Sequence, residues 1–499
     1  MNDAAAAWST VPEVLAAAAR AHPDRDAYVH EGRRIDYAGL ERASAGFAAT
    51  LLALGVRKGD VVSLNIPSSI EFAAAYLGAI RAGAITSAIN PRLGPTERAS
   101  IIERTTPAIT VVLDDQPLPS GAGRVMRSSE LGLAFSVPRR ADEIAIVETD
   151  PVAIVWTSGT TGAPKGAVYD HASLRMIHEG MRDLTAPQDR RLVSLPFAHL
   201  GFMTRIWDEL AAGTTLVLVG EPWSAARQID LIERERITMI TGVPTQWELM
   251  LAHPAFEACD TSGLRLAGVG GSSIAPDLVR RMRERLHCPV VTRYASTEAG
   301  LITGTRIGDD DETVAMTVGV ASPVVDLRVV DPPTEEAVGT GEVGEIRCRS
   351  RAMFRGYWND AARTGEALDA DGFLRTGDLG FIDDDGNLRI VGRLKEMYIR
   401  GGYNVYPSEV ESVLVDHPAV HQAAVIGVEA PVLGEMGVAF VIPEVGVDAP
   451  DLEVLRAWCR ARLADYKAPD RLVILATLPV TAGHKIDKQA LADIAKDAD

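Results

Sequence analysis

Residues 157–166, with the sequence TSGTTGAPKG, combine hydroxyl groups, glycines and one lysine in a single short segment. Glycine lets backbone N–H groups approach an anion closely, the hydroxyl groups add donors, and Lys165 adds a full positive charge. An apolar run over residues 152–156 predicts a buried strand that leads directly into this segment. A flexible surface linker needs neither that strand nor the Pro-Lys-Gly ending. The pattern therefore predicts a polyphosphate-binding loop.

The candidate contacts of this loop are Thr157, Ser158, Gly159, Thr160, Thr161, Gly162 and Lys165. The loop differs from a Walker A loop, in which a hydroxyl residue directly follows the lysine and binds magnesium. Here Gly166 follows the lysine. The loop alone therefore indicates a polyphosphate ligand without indicating which class of enzyme binds it.

Two carboxylates stand where they could serve a nucleotide. Tyr294 and Glu298 lie four residues apart after a predicted strand, so that the ring could stack on a purine and the carboxylate could hold magnesium. Asp378 follows Thr-Gly in a predicted turn and could accept two hydrogen bonds from the vicinal hydroxyls of a ribose. A solvated Glu and a turn-forming Asp are the ordinary alternatives for these two positions.

Three further segments have ordinary structural explanations on their residues alone. Residues 392–407 predict a strand and a Gly-Gly turn before a helix, for which a plain hairpin is a sufficient explanation. Lys485 lies near the C-terminus, where a lysine is ordinarily exposed and without a role. His199 follows a predicted strand, where a histidine is more often structural.

Composition excludes several classes of function. The 499 residues carry a formal net charge of −18, which argues against a nucleic-acid surface or an anionic membrane as partner. The four cysteines are widely spaced and match neither a zinc site nor a disulfide framework, which predicts reduced cytoplasmic thiols. The alanine-rich N-terminus lacks the pattern of a signal peptide, and residues 72–89 are too interrupted for a membrane span.

Strand and helix patterns alternate over residues 37–92 and again after the loop, where a helix is predicted over residues 201–212. This alternation predicts mostly parallel sheets covered by helices. From about residue 317, short strands between Gly and Asp turns predict a small antiparallel, barrel-like subdomain. The predicted fold is therefore α/β, with a large N-terminal domain over residues 1–394 and a smaller α+β domain over residues 395–499. The first helix of the smaller domain is predicted to begin with a capping box formed by Ser408 and Glu411.

The chain resembles the adenylate-forming superfamily of acyl-CoA synthetases, peptide-synthetase adenylation domains and beetle luciferases. Residues 157–166 resemble its phosphate loop, residues 294–298 its Tyr-Gly-x-Thr-Glu motif with Ala295 in place of glycine, and residues 376–378 its Thr-Gly-Asp motif. Residues 392–407 resemble its hinge motif. Residues 479–488 resemble its Pro-x-Thr-x-x-Gly-Lys loop, with His484 between the glycine and the lysine, and residues 196–201 its aromatic motif.

The resemblance implies ATP, Mg²⁺ and coenzyme A as ligands. It implies that Glu298 binds the metal ion, that Thr297 contacts the phosphates, and that Asp378 and Arg393 bind the ribose. The other implied nucleotide contacts outside the loop are Gly271, Ser272, Tyr294, Ala295 and Ser296.

The resemblance also implies two conformations of a mobile C-terminal domain. Lys485 bridges the substrate carboxylate and the α-phosphate, Lys395 is the hinge, and Gly401 and Gly402 line the pantetheine tunnel. His199 lies beside the acyl carboxylate. The residues expected around the acyl group are Met203, Trp207, Val243, Trp247, Gly270, Gly271 and Leu301.

The implied enzyme is a cytoplasmic, ATP-dependent acid:CoA ligase that forms an acyl-adenylate and pyrophosphate and then an acyl-CoA thioester and AMP. Three alternatives stay open: a stand-alone adenylation enzyme that loads a carrier protein, a ligase limited to the thioester half-reaction, and a catalytically silent nucleotide or acyl-CoA binding protein. The departures at Ala295 and His484 motivate the second alternative. The partners expected are a small carboxylic acid, ATP and CoA, with a homodimer also open.

Overall fold

The computed structural model describes residues 8–117, 120–138, 144–157, 164–181, 184–272, 274–480 and 486–497. The chain divides into two compact units. Residues 1–315, 319–326 and 348–374 form the first unit, and residues 316–318, 327–347 and 375–499 form the second. Compactness does not show where a chain rotates, so the domain boundary between residues 394 and 395 stays a prediction.

The strands that lie wholly in the first unit make up two sheets. They are β1 (Asp26–His30), β2 (Arg33–Asp36), β3 (Val61–Asn65), β4 (Ile85–Ala88), β5 (Ile109–Val112), β6 (Arg124–Arg127), β7 (Pro151–Thr157), β8 (Lys165–Asp170), β9 (Arg190–Val193), β10 (Thr215–Leu218), β11 (Met239–Gly242), β12 (Leu266–Gly270), β13 (Val290–Ser296), β14 (Gly300–Gly304) and β15 (Val320–Ala321).

Helices separate most of these strands. They are α1 (Val11–Ala21), α2 (Tyr37–Ala53), α3 (Ile70–Arg81), α4 (Pro95–Thr105), α5 (Leu131–Phe135), α6 (His171–Met181), α7 (Leu200–Met203), α8 (Ile206–Ala212), α9 (Ala225–Arg234), α10 (Pro244–Leu251), α11 (Pro276–Leu286), α12 (Asp311–Met316) and α13 (Ala361–Ala367).

The six-stranded sheet has the order β6-β5-β3-β4-β7-β8, and the nine-stranded sheet has the order β15-β14-β13-β12-β11-β9-β10-β1-β2. The central pairs of both sheets are parallel, and antiparallel pairs occur at their edges, such as β7 with β8 and β13 with β14. This agrees with the mostly parallel, helix-covered sheets predicted from the alternating pattern.

The central strands are buried because helices cover both faces of a parallel sheet. Every residue of β3, β4 and β5 is buried. In the nine-stranded sheet, buried residues of β9, β11 and β12 pack against the apolar sides of α9, α10 and α11 in one core cluster. A rigid core of this kind holds the loops at the strand ends, where the candidate site residues lie.

In the remaining part of the chain the strands are β16 (Val325–Val330), β17 (Gly344–Ser350), β18 (Leu374–Ile382), β19 (Leu388–Arg393), β20 (Tyr398–Arg400), β21 (Tyr403–Val405), β22 (Val420–Ala430), β23 (Gly434–Pro443) and β24 (Arg471–Ile474). The helices are α14 (Pro407–Val415), α15 (Leu452–Arg460) and α16 (Lys488–Asp497). The first four of these strands form one sheet in chain order, where a barrel-like subdomain was predicted. The others form a five-stranded sheet of an α+β unit, in the order β21-β20-β23-β22 with β24 paired to β23.

Two local predictions were wrong. The helix expected over residues 201–212 is two short helices, α7 and α8, with Thr204 and Arg205 between them. The capping box is absent from α14, whose N-cap is Tyr406; Ser408 Oγ donates to the carbonyl of Val391, and Glu411 accepts from Val425 N at 2.8 Å. Long-range partners occupy both side chains, which a local pattern cannot reveal.

Among the described residues, none of the helices is long and apolar enough to cross a bilayer.

Candidate active site

The two ends of the predicted phosphate loop are neighbours across a sheet. Thr157 ends β7 and Lys165 begins β8, and the two residues face each other in the antiparallel register. Gly166 pairs with Trp156, and a side chain at Gly166 would bring its Cβ to 2.5 Å from Ile154 Cγ2, so a larger residue would displace the buried Ile154 side chain. The sheet therefore holds both ends of the loop, while Ser158, Gly159, Thr160, Thr161 and Gly162 lie outside the described residues.

The second candidate segment is the turn between β13 and β14. Tyr294, Ala295 and Ser296 belong to β13, and Thr297 and Glu298 lie in the turn that follows. Ser296 Oγ accepts from Ala299 N at 3.1 Å, which closes the turn. The turn presents Glu298, with its side chain only partly buried, at the end of the strand.

Ala295 lies within β13, where the chain is extended. A strand accommodates a Cβ atom without the strain that a positive φ would impose. The residue is exposed. Alanine in place of the glycine of the superfamily motif therefore costs the backbone no strain at this position.

One residue that the sequence interpretation missed connects the loop with this turn. The hydroxyl of Tyr357 donates to Glu298 Oε1 at 2.8 Å, and Lys165 Nζ lies 5.3 Å from the centroid of the Tyr357 ring. Burial, followed by the charge of Glu298, raises the pKa of Tyr357 above its ordinary value, so the hydroxyl stays protonated and donates. Lys165 and Glu298, predicted from separate motifs, are thus both in contact with one tyrosine.

The strand β12 leads into Gly271 and Ser272, which are both exposed. Gly271 has a φ of +88°, a conformation that favours glycine. The position at the end of a parallel strand is compatible with the predicted ligand contact, because ligands bind at the carboxyl ends of strands in open α/β sheets.

His199 lies at the N-cap of α7, and its Nε2 is 3.3 Å from the side-chain nitrogen of Asn90, which follows β4. The aromatic motif packs inward: the ring of Phe197 stacks on Phe202 with centroids 3.5 Å apart. Trp247, one of the residues expected around the acyl group, belongs to the core of the nine-stranded sheet, where its Nε1 donates to Gly268 O at 3.1 Å. Met203 and Trp207 are likewise fully buried.

In the second unit, the two residues predicted to bind ribose are partners. Asp378 on β18 faces Arg393 on β19, and Arg393 Nε lies 2.9 Å from Asp378 Oδ1. The Asp378 side chain is only 8% exposed, whereas Arg393 is 54% exposed. Asp378 N also donates to Thr376 Oγ1 at 3.1 Å. The turn predicted for Thr376 to Asp378 was wrong, because all three residues belong to β18. The carboxylate therefore has a defined position beside the cationic side chain of Arg393.

The predicted hinge and tunnel residues also belong to this unit. Lys395 is exposed in a turn that connects β19 and β20, in which Glu396 N and Met397 N both donate to the carbonyl of Arg393. Gly401 and Gly402 form the tight turn between β20 and β21, with φ values of +58° and +88°. The segment is thus a hairpin, as its composition alone indicated. Lys485 and His484 lie outside the described residues.

Comparison with known proteins agrees with the motif evidence. The family model described as AMP-binding enzyme matches residues 15–358, and the model described as AMP-binding enzyme C-terminal domain matches residues 409–485. A protein of Mycobacterium tuberculosis (strain ATCC 25618 / H37Rv) named 3-[(3aS,4S,7aS)-7a-methyl-1,5-dioxo-octahydro-1H-inden-4-yl]propanoyl:CoA ligase is 36% identical over 97% of this chain and 99% of its own. A feruloyl-CoA synthase of an Amycolatopsis species is 33% identical over 94% of this chain and 96% of its own.

The fold has a solved counterpart. The crystal structure of ATP-bound MatB from Rhodopseudomonas palustris superposes with a TM-score of 0.89 and 29% sequence identity, covering 98% of this chain and 99% of that chain. The predicted α/β fold class, with a large domain of helix-covered sheets and a smaller C-terminal domain, is confirmed by this likeness.

Proposed function

Because the chain belongs to the AMP-binding enzyme family, as an AMP-forming ligase of the acyl-CoA synthetase group, we propose that it joins a hydrophobic carboxylic acid to coenzyme A in two steps. In the first step a carboxylate oxygen attacks the α-phosphorus of ATP, and the bond to the β-phosphate breaks to release pyrophosphate. In the second step the CoA thiolate attacks the acyl carbon of the adenylate. The thioester forms and AMP leaves.

The observation that carries this proposal is the approach of Lys165 and Glu298 to the same tyrosine, at the end of the predicted phosphate loop. Attack of a carboxylate on a polyphosphate brings two anions together and is unfavourable unless cations neutralise the developing charge. Lys165 supplies one positive charge to the phosphates and Lys485 a second, between the attacking carboxylate and the α-phosphate.

Glu298 fits a magnesium ion that is held together with the nucleotide. Mg²⁺ takes hard oxygen ligands and is often bound by one or two carboxylates plus substrate phosphates. Among the described residues there is no group of three or more His, Cys, Asp or Glu side chains that could hold a metal ion by itself. The partly exposed carboxylate of Glu298 suits an ion that is bound jointly by a carboxylate and the substrate phosphates. Such an ion would neutralise charge at the phosphate oxygens.

Asp378 would accept hydrogen bonds from the ribose hydroxyls, with Arg393 beside it at 2.9 Å. Asp378→Ala is expected to weaken ATP binding about 10- to 150-fold, because hydrogen bonds to a charged group contribute about 1.5–3 kcal/mol. Calorimetric titration with ATP measures the effect. Asp326→Ala, which removes an exposed partner of Arg349, is the matched control and should leave the affinity unchanged. A change of less than about threefold for Asp378→Ala would remove Asp378 from the ribose site.

After adenylation, the C-terminal domain would rotate about Lys395, withdraw Lys485 and present the Gly401 and Gly402 turn to the acyl-adenylate. A thin thiol arm can pass close to backbone where residues lack side chains. Rotation of a domain on a few backbone dihedrals is an established way for enzymes to assemble two active sites in turn.

Lys395→Pro is expected to slow thioester formation more than adenylation, because proline locks φ near −65° and resists the rotation. The two half-reactions are measured separately, by pyrophosphate exchange and by CoA acylation from synthetic acyl-adenylate. Lys395→Ala, which keeps the backbone free, is the control. Equal losses in both half-reactions for the proline variant would contradict the hinge assignment.

The acid is proposed to be hydrophobic, with a ring system as one candidate. The named substrates of the two relatives are a propanoyl group on a fused bicyclic dione and the feruloyl group. We also propose that the enzyme works in the cytoplasm, since all four cysteines are free thiols and such thiols persist in a reducing compartment.

A pyrophosphate-release screen over aliphatic, aryl and polycyclic acids, with and without CoA, tests the function. A CoA ligase gives acyl-CoA and AMP with at least one acid. Pyrophosphate release without acyl-CoA, followed by loading of a carrier protein, would favour the stand-alone adenylation enzyme. Thioester formation only from supplied acyl-adenylate would favour the half-reaction ligase. ATP binding without turnover of any acid would leave a silent binding protein.

Light scattering of the same preparation shows whether the protein is a homodimer.

A further inference from the structure

Residues 354–358, which follow β17, lie along the strand that Lys165 begins. Arg355 N donates to Val168 O at 2.7 Å, Val168 N to Gly356 O at 3.0 Å, and Trp358 N to Gly166 O at 2.7 Å. Tyr357 forms an antiparallel bridge with Ala167. The segment therefore extends the sheet beyond β8, and its backbone position is fixed by the strand at the end of the phosphate loop.

The same segment also contacts the turn that carries Glu298. Phe354 N donates to the carbonyl of Glu298 at 2.8 Å, and the Tyr357 hydroxyl donates to Glu298 Oε1 at 2.8 Å. The backbone and the side chain of Glu298 are thus both held from residues 354–357. Lys165 Nζ lies over the same ring, 5.3 Å from the ring centroid, within the range of a cation–π interaction.

Other contacts keep the Tyr357 ring in place. The backbone N–H of Tyr357 donates to Thr364 Oγ1 at 2.9 Å. The ring of Phe354 packs edge to face against the Tyr357 ring, with centroids 5.1 Å apart. The ring is half-buried. Contacts to the backbone and to the ring limit the rotamers of Tyr357, so its hydroxyl restricts the orientation of the Glu298 carboxylate.

We propose that Tyr357 is a positioning residue, which holds the Glu298 carboxylate for the metal ion of bound MgATP and the Lys165 ammonium for its phosphates. The inference rests on the proposed function, in which those two residues serve the nucleotide. The hydroxyl donates to Oε1, so the carboxylate would offer Oε2 to the metal ion. The negative face of the ring keeps the ammonium near its working position before ATP arrives, so less ordering is needed when the nucleotide binds.

The test separates the hydroxyl from the ring. Tyr357→Phe removes the hydrogen bond to Glu298 and keeps the ring beside Lys165, whereas Tyr357→Leu removes both. Calorimetry measures ATP affinity with Mg²⁺ and with EDTA for each variant. Tyr466→Phe, in the second unit, keeps its stacked ring and is the matched control.

The wild type is expected to bind ATP more tightly with Mg²⁺ than with EDTA. Tyr357→Phe should lose about 10-fold or more of affinity in Mg²⁺, the range typical when a partner of a metal ligand is removed, and keep its affinity in EDTA. Tyr357→Leu should lose affinity in both conditions. The Mg²⁺ concentration for half-maximal pyrophosphate exchange should rise with Tyr357→Phe.

Acylation of CoA from synthetic acyl-adenylate, together with the melting temperature, shows whether a variant is folded. Both are expected to match the wild type for Tyr357→Phe. The proposal would be overturned if Mg²⁺ raised the ATP affinity of Tyr357→Phe as much as it raises that of the wild type. An equal loss of both half-reactions would also overturn it and would show that Tyr357 serves only the fold. If the wild-type protein turned over no acid, the proposed function would fail, while the calorimetric comparison would still decide the role of Tyr357.

Discussion

Lys485→Ala is expected to lower the rate of acyl-adenylate formation by about 10²–10³-fold, the effect typical of removing one group that stabilises charge in a transition state. In the proposed mechanism Lys485 neutralises the attacking carboxylate and the α-phosphate only in the adenylating conformation. In the same proposal, the thioester half-reaction follows the withdrawal of this lysine. Pyrophosphate exchange measures the first half-reaction, and CoA acylation from synthetic acyl-adenylate measures the second, which should stay within about threefold of the wild type.

The matched control for this variant is Lys496→Ala, at an exposed lysine whose partner is Asp493 on the same helix. Removal of such a surface ion pair changes stability by less than about 1 kcal/mol and should leave both half-reactions intact. If Lys485→Ala lost both half-reactions to the same extent, the assignment of the two conformations to two steps would be wrong.

Glu298→Gln is expected to lower adenylation at least about 100-fold, because charge stabilisation by a bound metal ion contributes several kcal/mol and each 1.36 kcal/mol is a factor of ten in rate. Glutamine keeps the shape and can still accept a hydrogen bond from Tyr357 through its amide oxygen. The substitution therefore tests the negative charge separately from the packing. The measurement is pyrophosphate exchange as a function of Mg²⁺ concentration, and the half-maximal concentration should rise.

Glu312→Gln serves as the control for this variant, since Glu312 is 70% exposed beside Arg280. It should leave the Mg²⁺ dependence unchanged. A Glu298→Gln enzyme with the wild-type Mg²⁺ dependence would show that another group holds the metal ion.

The elements of the first unit followed largely from local patterns. The alternation predicted over residues 37–92 is seen as α2, β3, α3 and β4, in that order. Apolar residues recur through these segments, so local sequence and tertiary burial favour the same structure. The helix expected over residues 201–212 is interrupted at Thr204 and Arg205. Apolar residues lie on both sides of these two positions, so the sequence pattern did not reveal the interruption.

The sequence by itself determined the family and the chemistry it implies, since each motif carries its donors, glycines and charges within a few consecutive residues. The two residues proposed to bind ribose, Asp378 and Arg393, were likewise identified from two motifs, but their separation of 2.9 Å was not. Only the tertiary structure decided that Tyr357 lies between Lys165 and Glu298. A contact of this kind depends on how β8, the turn after β13 and residues 354–358 pack together, and no local spacing encodes that packing.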